Sequence, residues 1–311
     1  MKIVMFGNFS VSYCSEVHHA ISLEALGHHV VRLQETTVSS DEVLAQALQS
    51  KMLIWIHSHG FHVKGRPMSE VLEILKAHGI PTVAYHLDLY MGLQRWTEYE
   101  NSDYFKVQHF FTVDKLMADW LNKNTQTKGY YMPAGVLHEE AYELRLPKEY
   151  DVIFVGSRGY HPEWKYRPQL IDWLKNTYGE RFHHFGNDGE GVIRGVELNR
   201  VYGKSKVVVG DTLCPNFNYP YYFSDRLFET IGRGGFVIFP YIYGIEDMFN
   251  LHRELVTYKY GDFENLKKTI DYFIENNEAR EQVRQLGFER VRSDHTYLNR
   301  WESIIKTLKH R

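Results

Sequence analysis

The first half of the chain alternates short apolar runs with amphipathic segments. The apolar runs predict buried strands at residues 2–7, 52–57, 82–87, 109–113 and 130–132. Apolar positions at helical spacing predict helices at residues 15–26, 42–49, 69–78 and 115–122. Because this alternation is typical of a parallel sheet flanked by helices, the first half is predicted to be an α/β domain.

The alternation stops at residues 133–150 and then begins again. This segment carries two prolines and many charges without a hydrophobic period, which is typical of a connection between domains. Beyond it, strands are predicted at residues 151–156, 181–186, 206–210 and 236–240. Helices are predicted at residues 168–178, 197–202 and 225–231, with a helical stretch at 263–311. The 311 residues are therefore predicted to form two α/β domains.

Charge and cysteine content narrow the class of protein. The formal net charge of −3 gives no overall basic field, so a nucleic-acid partner would need a local patch. Cys14 and Cys214 match neither a metal-ligand spacing nor a disulfide framework, which favours a reducing, cytoplasmic location. No apolar stretch approaches the roughly 18 residues that span a bilayer.

The most informative segment is YPYYFSDRLFETIGRGGFVIFP, residues 219–240. Ser224 is predicted to cap a helix whose first turns carry Asp225, Arg226 and Glu229, and all four are assigned to one binding site. A helix start attracts phosphate, and a nearby carboxylate can accept two vicinal hydroxyls, so a diphosphate joined to ribose fits. The alternative is that Ser224 and Asp225 only cap the helix while Glu229 pairs with an arginine at the surface.

Several motifs in this order resemble the C-terminal half of the group 1 glycosyltransferases of the GT-B fold. They are RLFETIGRGGFVIFP, GIEDMF, ELVTYKYGDFENLKKTIDYFI and NEAREQVRQLGFERVRSDHTYLNRW, and the likeness runs from VGSRG at Val155 to the C-terminus. Within the group, the chain is most similar to the branch that includes spore-maturation glycosyltransferases. The resemblance implies two Rossmann-like domains facing across a cleft. They are an acceptor-side domain at residues 1–145 and a nucleotide-sugar donor domain at 146–295, with a C-terminal helix at 296–311 packing back on the first domain.

The resemblance implies roles for the helix of the donor domain. Glu229 corresponds to the glutamate that holds the donor ribose hydroxyls, and Arg226 corresponds to an arginine near the donor phosphates. Many relatives carry a second glutamate eight residues before the first, where this chain has Tyr221. Tyr222 or backbone groups of residues 217–224 are therefore expected to contact the transferred sugar.

A second motif, VGSRGYHPEWKYR, resembles the first loop of the donor domain. The resemblance implies that Gly156, Ser157 and Arg158 face the donor. Lys165 or Arg167 is expected to add positive charge for the diphosphate leaving group.

The N-terminal half resembles the group more weakly, through FGNFSVSYCSEVHHAISLEALGHHV and YYMPAGV. Gly7 ends the first strand, where it would admit a donor phosphate, or it is an ordinary strand-ending glycine. His57, His59, His86 and Asp88 follow two later strands. His86 and Asp88 are the catalytic candidates, because either could take the proton of the acceptor hydroxyl or stabilise charge on the sugar. The alternative for each histidine is a structural role.

No metal site and no cofactor are predicted. The histidines of HSHGFH, residues 57–62, are spaced so that they could gather around zinc, but no carboxylate adjoins them. The sequence has no Asp-x-Asp pair of the kind that holds a divalent cation in the other main nucleotide-sugar fold. Arginine, lysine and helix dipoles are expected to meet the phosphate charge instead.

The predicted function is transfer of a sugar from a nucleoside diphosphate sugar to an acceptor hydroxyl, retaining and metal-independent. Retention is implied by the resemblance alone. The acceptor is a glycan, a small molecule or a modified base, with nucleic acid not favoured. A dinucleotide dehydrogenase is disfavoured because neither GNFSVS nor GSRGYH is G-x-G-x-x-G. The alternatives are an epimerase or hydrolase of the same fold, a DNA-base glycosyltransferase, and a non-catalytic nucleotide-sugar-binding module.

Overall fold

The computed structural model describes residues 1–57, 62–99 and 101–309. The chain divides into two units, one made of Met1–Pro133 with Tyr297–Arg311 and one made of Ala134–Thr296. Each unit contains one parallel sheet with helices between its strands along the chain. The α/β class predicted from the hydrophobic pattern is confirmed.

The first unit contains a six-stranded sheet. Its strands are β1 Lys2–Gly7, β2 His29–Gln34, β3 Leu53–Trp55, β4 Thr82–His86, β5 His109–Thr112 and β6 Lys128–Tyr131. The helices among them are α1 Ser15–Ala25, α2 Ser40–Ala47, α3 Met68–Ala77, α4 Trp96–Tyr99 and α5 Lys115–Asn124. The strand order is β2-β1-β3-β4-β5-β6, and all pairs are parallel.

Local sequence explains why these elements form. All five residues of β4 are buried, as expected of a central parallel strand covered on both faces. Two helices begin at side-chain caps: Ser39 Oγ accepts a hydrogen bond from Glu42 N at 3.3 Å, and Asp114 Oδ1 accepts one from Met117 N at 3.2 Å. Since the strands are parallel, their carboxyl ends all lie at one edge of the sheet.

The second unit contains a five-stranded sheet. Its strands are β7 Tyr150–Val155, β8 Phe182–Phe185, β9 Ser205–Val209, β10 Val237–Pro240 and β11 Val256–Tyr258. The helices are α6 Tyr166–Tyr178, α7 Val196–Lys204, α8 Asp225–Gly232, α9 Phe263–Glu275 and α10 Asn277–Asp294. The order β11-β10-β9-β7-β8 places β9 at the centre.

The last helix, α11 Tyr297–Lys309, belongs to the first unit and packs against α1. The indole of Trp301 is fully buried and its Nε1 lies 3.2 Å from His19 Nδ1. The ring of Tyr297 meets His19 edge-on at a centroid distance of 4.6 Å. An aromatic cluster therefore fixes the end of the chain to the first helix.

The units divide after Pro133, earlier than the predicted limit at residue 145. The physical reason is that the connecting segment packs on the second unit. Val136 N donates a hydrogen bond to His295 O at 3.1 Å, and Glu143 forms an ion pair with Arg284 at 2.6 Å. The segment predicted to be a loose connection thus adds to the body of the second unit.

Two strands of the structure, β2 and β11, are not predicted by the hydrophobic pattern. In β2 the buried residues are Val30 and Leu33, a spacing of three rather than the alternation that predicts a strand. Strand β11 has only three residues at the edge of its sheet. In addition, the helical stretch predicted at 263–311 is broken near Asn276 and His295 into α9, α10 and α11. Across the part of the chain that the structure describes, no helix combines the length and apolar character needed to span a bilayer.

Candidate functional site

The carboxyl ends of β7, β9 and β10 are adjacent in the second unit because these strands are neighbours in the sheet. Gly156 and Ser157 follow β7, and Asp211 and Thr212 lie just beyond β9. Ser224 N donates a hydrogen bond to Thr212 Oγ1 at 3.2 Å, which ties the start of α8 to the end of β9. Ligands of open α/β sheets bind at such an edge.

Helix α8 begins at Asp225, as predicted. Its hydrophobic face is buried through Leu227, Phe228 and Ile231. Ser224 occupies the capping position, and its carbonyl accepts a hydrogen bond from Leu227 N at 3.1 Å. Its hydroxyl makes no capping bond, however, so the predicted side-chain cap is wrong. The start of α8 is therefore not capped by the serine side chain, and the start of a helix attracts phosphate.

Arg226 and Glu229 lie on one face of α8, as their spacing predicts. Arg226 Nη1 is 2.8 Å from Glu229 Oε2, and the two side chains are 23% and 17% exposed. Burial disfavours the charged guanidinium, but the combined effect of Glu229, Tyr202 and Asp225 outweighs it and the pKa of Arg226 is raised. The ion pair is thus charged and mostly buried, yet still reaches the surface.

The loop after β7 begins with Gly156, whose φ of 145° favours glycine. Gly156 N donates a hydrogen bond to Phe185 O at 2.8 Å, so the loop starts from a fixed position. Arg158, predicted to face the donor, forms an exposed ion pair with Asp172 of α6. Surface pairs of this kind contribute little to stability, and the charge of Arg158 is already balanced at the surface.

Arg167 is buried in α6, and its Nε donates a hydrogen bond to Asp211 Oδ2 at 2.8 Å. Trp164 Nε1 donates to the same oxygen at 2.9 Å. Burial outweighs the attraction of Arg167, so the pKa of Asp211 is raised. Of the two cations considered for this position, Lys165 is exposed and Arg167 is the one held beside the sheet. Asp211 is not among the predicted site residues, although its place directly after the apolar run at 206–210 marks a strand end.

The loop before α8 places its two tyrosines differently. Tyr222, predicted to contact the transferred sugar, is 2% exposed, which leaves little of its surface for a ligand. Tyr221 has a φ of 54°, and its hydroxyl donates a hydrogen bond to Asp247 Oδ2 at 3.0 Å. Asp247, from the GIEDMF motif, therefore places a carboxylate beside the Tyr221 hydroxyl.

In the first unit, Gly7 ends β1 in a tightly packed position. A Cβ at Gly7 would lie 2.8 Å from Ile56 O and 3.0 Å from Glu16 Cγ. Glu16 is buried, which raises its pKa, and its Oε1 accepts a hydrogen bond from Asn8 N at 3.4 Å. Packing within the unit by itself therefore requires glycine at this position.

A buried carboxylate also lies beside β3. Glu35 is fully buried, forms a short hydrogen bond with His57 Nδ1, and accepts one from Trp55 Nε1 at 3.2 Å. Glu35 is not among the predicted site residues because it follows β2, a strand that the hydrophobic pattern does not predict. His59 lies outside the described residues. Among residues 1–57, 62–99 and 101–309, no group of three His, Cys, Asp or Glu side chains is placed to hold a metal ion.

The two predicted catalytic residues differ in environment. His86 is buried, with its ring 4.7 Å from that of Tyr90 and 5.7 Å from that of Tyr104. Burial, with smaller contributions from Arg95 and His57, lowers the pKa of His86 to about 3. Such an imidazole is a weak base at neutral pH. Asp88, two residues further along, is exposed.

A family comparison matches part of the chain. Residues 167–306 match the family described as "Glycosyl transferase-like". This segment includes α8 and most of the second unit, and it is somewhat less than half of the chain. No curated protein matches the chain in sequence.

Solved structures resemble the whole chain. An α-glucosyltransferase in complex with UDP-glucose and DNA containing an abasic site is 12% identical, with a TM-score of 0.73 and 99% of each chain covered. Anabaena HepE in complex with UDP and glucose is 10% identical, with a TM-score of 0.68 and 100% of each chain covered. A glycosyltransferase from Rickettsia africae ESF-5 is 14% identical, with a TM-score of 0.63 and 99% and 98% covered.

At these identities the likeness establishes the fold, while the sequence match of residues 167–306 establishes the kind of enzyme. The predicted class of fold is confirmed in both units. This chain is a glycosyltransferase with the GT-B fold.

Proposed function

We propose that this glycosyltransferase transfers a sugar from a nucleoside diphosphate sugar to an acceptor hydroxyl, and that the donor binds at the carboxyl edge of the second sheet. The observation that carries the proposal is the Arg226–Glu229 pair in the first turns of α8, beside the end of β9. A cation, a carboxylate and a helix start occur together there, which matches a diphosphate joined to ribose.

The ion pair is compatible with a carboxylate that also binds ribose. Glu229 uses Oε2 toward Arg226, and a carboxylate has about four lone-pair sites over its two oxygens. In our proposal Glu229 accepts the two ribose hydroxyls, while Arg226 and the start of α8 meet the diphosphate. In the same proposal Asp225, Ser224, Gly156, Ser157 and Arg167 surround this ligand, and the resemblance to the group 1 glycosyltransferases supports these roles.

We further propose that the reaction is retaining and needs no metal. Charge on the leaving diphosphate would be met by Arg167, Arg226 and the dipole of α8. The first unit would supply the acceptor-side residues. Asp88 is exposed and its carboxylate can meet a hydroxyl, whereas buried His86 acts next to it as a neutral group. The predicted cytoplasmic location stays a prediction.

The proposed acceptor is a glycan, a small molecule or a modified base. A DNA-base acceptor is favoured by one observation, the DNA bound in the similar α-glucosyltransferase. The net charge of −3 opposes it. Activity that falls steeply with salt concentration would support a DNA acceptor, and activity independent of salt would exclude it.

The test of the proposal is a thermal-shift screen with UDP, GDP, ADP, CMP and TDP and their common sugars. The true donor should raise the melting temperature, and its stabilising effect should grow with the logarithm of its concentration once that exceeds the Kd. Product analysis with and without acceptor then separates a transferase from an epimerase or hydrolase, which needs no acceptor. A protein that binds nucleotide without any turnover would instead be a binding module.

A further inference from the structure

Asp211 is buried and has no role in the donor site proposed above. Its side chain sits two residues beyond β9, and its Oδ2 accepts both the Arg167 Nε and the Trp164 Nε1 hydrogen bonds. Its other oxygen, Oδ1, is buried and has no hydrogen-bond partner among the residues that the structure describes. Such an arrangement is costly for a protein to keep.

Stability alone gives no reason for this arrangement. Burying two charges costs about as much as their attraction returns, and an apolar pair of similar volume is often at least as stable. An unsatisfied carboxylate oxygen adds to the cost. The Arg167–Asp211 pair is therefore better explained by what it does to Arg167 than by what it adds to the fold.

Contacts on several sides hold the guanidinium of Arg167. Its Nε is bound by Asp211, and its Nη1 lies 3.4 Å from Ser157 O. Its central carbon is 4.4 Å from the centroid of the Tyr160 ring. Nη1 also lies 3.8 Å from the place that a Cβ on Gly156 would occupy. The Nη1 atom of Arg167 therefore lies beside Gly156, the glycine with positive φ that follows β7.

We propose that Asp211 is a positioning residue that orients Arg167 to bind the diphosphate of the donor. This inference rests on the proposed function. A guanidinium held through Nε keeps its Nη edge for a planar contact with phosphate oxygens, which a freely rotating arginine reaches only at a cost in entropy. Asp211 contacts no substrate in this scheme and acts only through Arg167.

The test compares the affinities of UDP and uridine by titration calorimetry, because the ratio of the two isolates the diphosphate contribution. Arg167→Met should reduce the preference for UDP by about 10-fold or more, as expected for loss of a charge-assisted phosphate contact. Asp211→Asn should reduce it by about 5-fold, and should have no further effect in the Arg167→Met background. Trp164→Phe removes the other hydrogen bond to Oδ2 and should leave the ratio unchanged.

The sign of the Asp211→Asn effect is decisive. If Asp211 only balanced the charge of Arg167, the neutral variant would bind UDP more tightly, and that outcome would overturn the inference. An equal effect of Asp211→Asn with and without Arg167 would also overturn it. The double variant Asp211→Leu with Arg167→Met removes both buried charges and is expected to fold. It should show no greater preference for UDP than Arg167→Met alone.

Failure of the inference is distinguishable from failure of the proposed function. A wild-type protein that binds none of the five nucleotides of the thermal-shift screen would overturn both, and if the screen selects another nucleotide, that nucleotide and its nucleoside replace UDP and uridine in the titrations. A wild-type protein that prefers UDP, with the same preference in Arg167→Met, would overturn only the role of Arg167 and Asp211. Thermal melts of every variant, measured without nucleotide, show whether each is folded.

Discussion

Arg226 and Glu229 pair across one turn of α8, with Nη1 and Oε2 2.8 Å apart. The same two side chains are the ones proposed to meet the donor phosphate and ribose. A pair of this kind has a counterpart elsewhere in the second unit: Arg200 and Glu197 of α7 pair at the same spacing, but their side chains are 52% and 56% exposed. Comparing variants of the two pairs therefore distinguishes an effect on ligand binding from the effect of losing an ion pair on a helix.

Glu229→Gln should weaken nucleotide binding by about 10-fold or more, because each hydrogen bond to a charged group contributes about 1.5–3 kcal/mol. Stability should change much less, since Glu229 is partly exposed and the amide keeps its shape. Titration calorimetry with UDP and thermal melts measure the two effects. Glu197→Gln is the matched control and should change neither. Unaltered UDP affinity in Glu229→Gln would remove the ribose assignment.

Arg226→Lys should lower turnover more than it lowers the melting temperature. Lysine keeps the charge but loses the planar fork that binds phosphate oxygens, and loss of one such donor typically costs about 10²–10³ in kcat. Steady-state kinetics with saturating donor would show the fall. Arg200→Lys on α7 should leave kcat at the wild-type value. Equal kcat for both variants would argue that Arg226 serves only the helix.

The sequence predicted those features that depend on local spacing. Arg226 and Glu229 share a face because they are three residues apart on a helix, a relation set by helix geometry alone. Asp211 and Arg167, by contrast, meet across a sequence separation of 44 residues. Their contact depends on how β9 and α6 pack, which spacing does not encode.

The same distinction explains the first unit. His86 could be placed at a strand end, but its burial among Tyr90, Tyr104 and Phe110 comes from tertiary packing. The Glu35–His57 contact was missed because β2 has buried residues three apart. The place of a residue at the end of a strand does not predict whether its side chain is buried, and therefore does not predict a shift of its pKa.

Chelation of divalent metal should leave activity unchanged. Arg167, Arg226 and the start of α8 are proposed to balance the phosphate charge, so no cation is needed for that role. The measurement is donor turnover after dialysis against EDTA, with and without added Mg²⁺ or Mn²⁺. Loss of activity with EDTA, restored by either ion, would show that the arginines and the helix do not suffice.

Gly7→Ala should destabilise the protein by about 1–3 kcal/mol, the usual cost of overpacking a tight site. A Cβ there would lie 2.8 Å from Ile56 O, and backbone gives way less readily than a flexible side chain. Gly159→Ala is the control, because a Cβ at Gly159 meets nothing within 4 Å. Denaturant unfolding measures both. Equal stabilities would show that β1 relaxes without cost.

His86 should make stability depend on pH below neutrality. Its pKa is about 3 in the folded protein, against an ordinary value of 6.5, because burial disfavours the charged ring. Between pH 3 and pH 6.5, His86 is therefore protonated in the unfolded chain and neutral in the folded protein. Stability is complete above pH 6.5 and falls as the pH drops toward 3, by about 1.4 kcal/mol per pH unit for one such group.

His86→Phe isolates this contribution. His86 Nε2 is buried without a hydrogen-bond partner among the described residues, so an apolar ring of similar size loses no hydrogen bond there. At pH 8 the variant should be as stable as the wild type or more so. The free energy of unfolding of the variant should exceed that of the wild type by an amount that grows as the pH is lowered from 6.5. Carboxylates and the equally buried His19 affect both proteins alike, so they cancel in this difference. Urea unfolding at several pH values gives the difference, and parallel profiles would mean that His86 becomes protonated in the folded state, with a pKa close to its ordinary value.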